Sequence, residues 1–176
     1  MTLKTLHHKS WPSHLPHYLE VPTKTLYENL VVTVSHFPDR KALIYYGSEI
    51  TYKSLFEQVN SIGNFITRFG EVKSEDRVIL YMQNCPQFVV SYYAVLGITC
   101  VVVPVNPMLQ LNELKYVVLD SNAKFIITST DLLDKVCLLK SDDKNFEICI
   151  LATAYSDSIS NKFNVKPPEE LKIKSP

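Results

Sequence analysis

The sequence predicts an α/β domain of three layers, a mainly parallel sheet flanked by helices, preceded by a β-hairpin and an N-terminal arm. Three observations carry that expectation. Strand-like and helix-like segments alternate four times between residues 77 and 152, a pattern that right-handed crossovers turn into a parallel sheet with helices on both faces. The run at residues 100–105, Cys-Val-Val-Val-Pro-Val, is apolar and β-branched without alternation, as expected for a central strand covered on both faces. Finally, 176 residues, 46% of them hydrophobic, suffice for one compact core and not comfortably for two.

Residues 1–22 read as an extended arm, because Trp11-Pro12, Leu15-Pro16 and Val21-Pro22 each push the residue before proline away from helix. Trp11, Leu15, Tyr18 and Leu19 are the expected anchors of an arm draped over its own domain, with a homodimer contact as the alternative. His14 and His17 fall close enough in sequence to meet, but two histidines without a third ligand seldom hold a metal.

Leu26, Leu30, Val31 and Val34 recur at helical spacing over residues 25–36, and Pro38 closes that segment. Two β-prone runs, 42–46 and 49–52, joined at Gly47-Ser48, make a tight hairpin. Thr51 can cap the next helix, in which Leu55, Phe56, Val59, Ile62, Phe65, Ile66 and Phe69 repeat every three or four residues until Gly70 supplies a left-handed stop. Residues 77–82 form a strand, and Pro86, tolerated in a first turn, opens an almost wholly apolar helix reaching Leu96.

After the strand at 100–105, whose carboxyl end Pro104 marks, Leu111, Leu114, Val118 and Leu119 make another helix. Residues 124–128 give another strand, Asp131 is expected to cap a helix carrying Leu132, Leu133, Val136 and Leu139, and residues 146–152 give the last strand. Serine, asparagine, proline and lysine then accumulate. Residues 154–176 therefore read as a linker or frayed end, leaving 23–153 as the folded unit.

Composition excludes several functions. Eighteen basic and eighteen acidic side chains cancel, so no global field recruits nucleic acid or an anionic surface. Residues 78–112 contain no Asp, Glu, Lys or Arg, yet Pro86, Pro104 and Pro107 interrupt the run, which favours buried core over a transmembrane segment. Cys85, Cys100, Cys137 and Cys149 match no zinc or redox spacing, and the last three lie in or beside apolar runs, where a reduced thiol packs as a small hydrophobe. With no signal-like stretch at the start, a cytoplasmic setting is expected.

The familiar chemistry of nucleotide and hydrolase folds cannot be written in this chain. Gly47, Gly63, Gly70 and Gly97 are its only glycines, which rules out GxGxxG, GxxxxGK[ST] and GxSxG alike. The carboxylate pairs Glu75-Asp76, Asp142-Asp143 and Glu169-Glu170 lie in polar connections, where solvated loop charges are the expectation. Tyr45, Tyr46, Tyr92 and Tyr93 fall on a strand and a buried helix and read as packing residues. No catalytic residue and no metal ligand is assigned. For a ligand, the expected place is the loop Asn106-Pro107-Met108, since strand carboxyl ends face the crevice in such sheets. The competing reading has Asn106 holding the turn through its own backbone.

Several literal stretches, in order, resemble the adenylate-forming superfamily of acyl-CoA synthetases. Ala42-Leu43-Ile44-Tyr45-Tyr46-Gly47 with Ile50-Thr51-Tyr52 is similar to that family's opening hairpin and helix start. Arg77-Val78-Ile79-Leu80 with Asn84-Cys85-Pro86-Gln87-Phe88 resembles its first core strand and the turn into a buried helix. Val103-Pro104-Val105-Asn106-Pro107 before Glu113-Leu114 is the most diagnostic part, and Ser121-Asn122-Ala123-Lys124 follows in register. Ser74-Glu75-Asp76 and Thr99 depart from the pattern, standing where the family usually carries glycine before the aspartate and before the strand.

The resemblance implies the amino-terminal part of a long-chain fatty-acid–CoA ligase-like enzyme. In the full-length enzyme it implies ATP, magnesium and coenzyme A, a carboxylic or fatty acid substrate, and the remainder of the ligase chain as partner. The family's phosphate loop, magnesium-linked glutamate, ribose-binding aspartate and catalytic lysine follow the stretch seen here. The 176 residues are therefore expected to be catalytically incomplete and to bind none of these cofactors alone, whether they end at a chosen domain boundary or in a natural short reading frame. Two alternatives stand beside this expectation: a stand-alone interaction module built from half of the fold, and an unrelated nucleotide-binding α/β domain.

Overall fold

The structure, a computed structural model, describes residues 3–18, 20–142, 148–159 and 168. The first long helix, α1 (Leu26–His36), opens on a capping box in which Thr25 Oγ1 accepts from Glu28 N at 3.1 Å and Glu28 Oε2 accepts from Thr25 N at 2.7 Å. Both partners silence amide donors that a helix start leaves open. An antiparallel hairpin of β1 (Lys41–Tyr45) and β2 (Ser48–Thr51) follows, with Tyr45 opposite Ser48. Its two-residue loop is therefore Tyr46-Gly47, one residue earlier than Gly47-Ser48. Both loop residues have positive φ, 46° and 79°, as the mirror-image hairpin turn demands, and the buried Ser48 is taken into the strand.

Thr51 caps α2 (Tyr52–Phe69) as expected, accepting from Ser54 N at 3.2 Å. The helix does not end on a left-handed glycine. Gly70 is right-handed, φ −90°, and the left-handed residue is Glu71, φ 50°. Gly70 is demanded by space instead, because a Cβ there would lie 2.6 Å from both the Ile66 carbonyl oxygen and the Phe125 ring.

Four parallel strands follow: β3 (Arg77–Tyr81), β4 (Val101–Val105), β5 (Phe125–Ser129) and β6 (Cys149–Thr153), in the order β4-β3-β5-β6. Their crossovers run through α3 (Pro86–Gly97), α4 (Leu111–Ser121) and α5 (Leu133–Asp142). The 100–105 run is thus an edge strand among the described residues and not the central one. Its Val101 is 44% exposed, whereas Val78, Ile79, Leu80 and Tyr81 of β3 are wholly buried. The physical reason is carried by Pro104, which has no N–H and is confined to sheet edges.

Alternation along β3 and β5 sorts the core into two faces. Val78, Leu80, Phe125 and Ile127 pack with Ile66 of α2 and Val95 of α3. On the opposite face Ile79, Tyr81 and Ile126 pack with Leu114 and Val118 of α4 and Val136 and Leu139 of α5. Outside the first helix layer, α1 and the hairpin close over α2 and α3 through Leu30, Leu55, Val59, Val90 and Ala94. No helix among the described residues is long and apolar enough to cross a membrane.

Other expectations are corrected locally. Asp131 lies inside a 3-10 turn, Thr130–Leu132, and does not cap α5; Ser129 before it makes no capping bond either. Cys137 and Cys149 are exposed, one on α5 and one opening β6, an edge strand among the described residues, so only Cys85 and Cys100 behave as buried hydrophobes. The arm is not extended at its start, where Leu3–Ser10 form a 3-10 helix, since its prolines begin only at residue 12. Its expected anchors are exposed, Trp11 at 37%, Leu15 at 47% and Tyr18 at 78%; Leu19 lies outside the described residues, as do Phe146, Asp143, Glu169 and Glu170.

The two departures from glycine keep glycine's conformation. Glu75 and Thr99 sit at φ 69° and 60°, and the pair of turns is pinned by Glu75 N donating to Thr99 O at 2.9 Å and Thr99 Oγ1 donating to Ser74 Oγ at 2.8 Å. Asp76 Oδ2 adds a bond from Lys73 N at 2.8 Å.

Candidate functional site

Strand order locates the crevice. From β3 the chain crosses first to β4 on one side and then back over β3 to β5 on the other, so crossovers diverge at the carboxyl ends of β3 and β5. In open parallel sheets that divergence opens the ligand crevice. Here its floor is polar: Thr128 and Ser129 are fully buried at the end of β5. Thr128 Oγ1 donates to the Tyr81 carbonyl at 2.9 Å, tying the two strand ends together.

The crevice is filled by the chain itself. Tyr155, in the 3-10 turn Tyr155–Ser158 just beyond β6, is 4% exposed. Its hydroxyl donates to Ser129 Oγ at 2.9 Å and accepts from Gln83 N at 3.0 Å. Burial pushes the Tyr155 phenol above its ordinary value, against the pull of the Ser129 and Gln83 hydrogen bonds. A neutral phenol with both hydrogen-bonding directions used is a strut, not an acid or base. The polar composition from residue 154 onward thus begins with two buried residues, Ala154 and Tyr155.

Beside the strut lies a cavity of about 230 Å³ whose wall includes Gln58, Gln87, Ser91, Leu151 and Asp157. Gln87 Nε2 donates to the Ala154 carbonyl at 2.7 Å, while its Oε1 is a buried acceptor without a partner among the described residues. Cys85, buried in the same cluster as Tyr155, has its thiol pushed up to about 11 by burial, which disfavours the thiolate near neutrality.

A second, more open crevice of about 310 Å³ lies on the β4 side, bounded by Met82, Asn84, Phe88, Pro104, Asn106 and Met108. The structure thus places Asn106 at its rim, exposed and directly after β4. Asn106 Oδ1 accepts from Met108 N at 2.9 Å and its carbonyl from Leu109 N at 3.1 Å, an Asx turn. The loop is anchored from below as well. Tyr81 donates its hydroxyl to the Pro107 carbonyl at 3.1 Å, and Lys135 Nζ donates to the Leu109 carbonyl at 2.9 Å.

Sequence reasoning singled out Asn106, which borders this crevice, and did not anticipate the network of Tyr155, Ser129, Gln83 and Thr128. One signal was available: Thr128-Ser129 ends an otherwise apolar strand with hydroxyls, and Tyr155 is an aromatic placed among polar residues after the last strand.

The chain matches known proteins over most of its length. A family model described as AMP-binding enzyme matches residues 30–174. A long-chain-fatty-acid–CoA ligase of Bacillus subtilis is 35% identical over 131 residues, covering 74% of this chain and 23% of that protein. Among solved structures, a long-chain-fatty-acid-CoA ligase from Archaeoglobus fulgidus shares the fold at a TM-score of 0.69 and 20% identity, over 77% of this chain and 28% of that one. The N-terminal subdomain of Klebsiella oxytoca NpsA, solved in complex with anthranilyl-AMSN, gives a TM-score of 0.57 at 26% identity, over 60% and 27% of the two chains. The chain spans about a quarter of the length of the curated relatives it matches, 23% and 27% for the first two.

Proposed function

The chain belongs to the AMP-binding enzyme family, and from that premise we propose that it is the amino-terminal scaffold of an ATP-dependent acyl-CoA ligase, catalytically incomplete by itself. In the reaction proposed for the whole enzyme, a fatty or other carboxylate attacks the α-phosphate of ATP, pyrophosphate leaves, and the thiol of coenzyme A then displaces AMP from the acyl-adenylate. Magnesium, ATP and coenzyme A belong to that whole enzyme, whose remaining chain is this scaffold's partner.

The single observation that supports incompleteness is the filled crevice. Tyr155 occupies the place where a parallel sheet of this order would take a ligand, and four glycines permit neither familiar phosphate loop. Within this reading residues 23–153 and the Tyr155 turn form the scaffold, Asn106 lines an outer rim, and the connection to the rest of the ligase begins after that turn. Four free cysteines suit a reducing, cytoplasmic setting.

The test is pyrophosphate exchange into ATP by the purified 176 residues with a fatty acid and magnesium. Background exchange is expected; exchange well above background overturns the incompleteness. The parent activity is tested separately by the genomic sequence following the codon for Pro176, where a glycine-rich phosphate loop is expected within a short distance.

One observation favours a second reading, an interaction module. Trp11, Leu15 and Tyr18 are exposed on the arm, available to a second copy. Deleting residues 1–22 would lower the solution mass from dimer to monomer in that case, and an unchanged mass removes the arm as a dimer contact.

A further inference from the structure

Residues 7–18 close on themselves through their rings. His8 lies flat on His17, centroids 4.3 Å apart and planes 17° apart. His7 stands edge-on to His8 at 4.4 Å, and Trp11 edge-on to His7 at 5.8 Å and to His17 at 6.3 Å. Tyr18 sets its ring perpendicular to His8 at 5.9 Å. The loop between the stacked histidines is tied by Trp11 Nε1 donating to the Pro16 carbonyl at 3.1 Å and Leu15 N donating to the Pro12 carbonyl at 3.1 Å.

Among the described side chains, the titratable groups facing His8 are therefore His7 from its own 3-10 helix and His17 and Tyr18 from the following loop. Desolvation, then the charges of His17 and His7, lower the His8 pKa below the ordinary imidazole value. All three causes oppose a proton on His8, and nothing fits between rings in flat contact to screen two like charges.

We infer that the His8–His17 stack is an acid-sensitive clasp, held shut while His8 is neutral and opened when His8 takes up a proton against His17, which releases the Trp11 indole from the Pro16 carbonyl. The sign follows from linkage. A base whose pKa is lowered in the closed form binds its proton better in the open form, so closure is complete above the ordinary imidazole range and is lost as pH falls through and below it. The effect stays in the arm, because the chain's five histidines are residues 7, 8, 14, 17 and 36 and none lies in the sheet.

Trp11 is the only tryptophan, so its indole N–H proton resonance reports the clasp without labelling. Between pH 8 and 5 that resonance is expected to move along the titration of the His8 ring protons, with the protection of the N–H relative to a free indole at the same pH falling by up to about tenfold per pH unit for one linked proton. In His17→Phe, which keeps a flat ring without a charge, the indole signal is expected to stay at its pH 8 position throughout, and His8→Phe must behave alike. An indole signal that stays fixed in the wild-type chain while His8 titrates overturns the clasp, as does an equal movement in either variant. If a variant loses the stack at pH 8, the wild-type titration decides alone.

Discussion

Tyr155 and Ser129 share a hydrogen bond of 2.9 Å at the point where the crossovers of the sheet diverge. One phenol, arriving from beyond the last described strand, thereby bolts the carboxyl ends of β3 and β5 and occupies the space between them. Tyr155→Phe is expected to cost about 1–3 kcal/mol, since it leaves the Ser129 hydroxyl buried and the Gln83 amide without its acceptor. Ser129→Ala should cost less, and the double variant less than the sum, because both changes remove the same bond. Urea unfolding of the four proteins measures this; strict additivity would sink the strut.

Glu75→Gly is expected to stabilise the fold by about 0.5–1 kcal/mol, because the relief of a left-handed side-chain residue exceeds the entropy glycine adds to the unfolded chain. Thr99→Gly should gain less, as it also loses the bond from Thr99 Oγ1 to Ser74 Oγ. A higher urea midpoint for the first variant than for the second checks the order.

Gly70→Ala tests space against conformation. At φ −90° alanine suffers no backbone strain, so a purely conformational glycine would tolerate it. We expect a loss of about 1–3 kcal/mol from overpacking against Phe125. Measured in a Phe125→Leu background the loss should shrink, and a loss of equal size in both backgrounds would assign it to the Ile66 carbonyl instead.

Alkaline pH should weaken the fold in a defined window. Burial raises Tyr45 to about 12 and Cys85 to about 11, so the unfolded chain releases these protons first. Their contribution is complete below the ordinary thiol and phenol values, near 9 and 10, and is lost as pH rises through about 11 and 12. Urea midpoints are expected to fall steadily above pH 9, less steeply in Tyr45→Phe. A flat profile to pH 11 contradicts the sign.

Helices and strands were legible because their signals are local. Thr25 and Thr51 announce helix starts within three residues, and the repeat from Leu55 to Phe69 shows which side of α2 is buried. Strand neighbours were not legible, since an apolar run reports burial and not adjacency. Only Pro104, read as the end of a strand, carried the information that β4 is an edge among the described residues. The strut was hidden for a similar reason: Tyr155 meets Gln83 and Ser129 across 72 and 26 residues of chain, and no periodicity spans such distances. Asn106 was legible in its local part, because an asparagine before proline after a strand is a turn residue.

The two flanks of the sheet are unequal. On one side β4 carries Pro104, a residue that withholds a donor from any neighbour; on the other, β6 has a strand beside it only at β5 among the described residues. An open strand edge is a template, and a proline blunts one. Among the described residues the two flanks are consequently not equivalent: proline blunts the addition of a further strand at β4, whereas Cys149–Thr153 carries no such block.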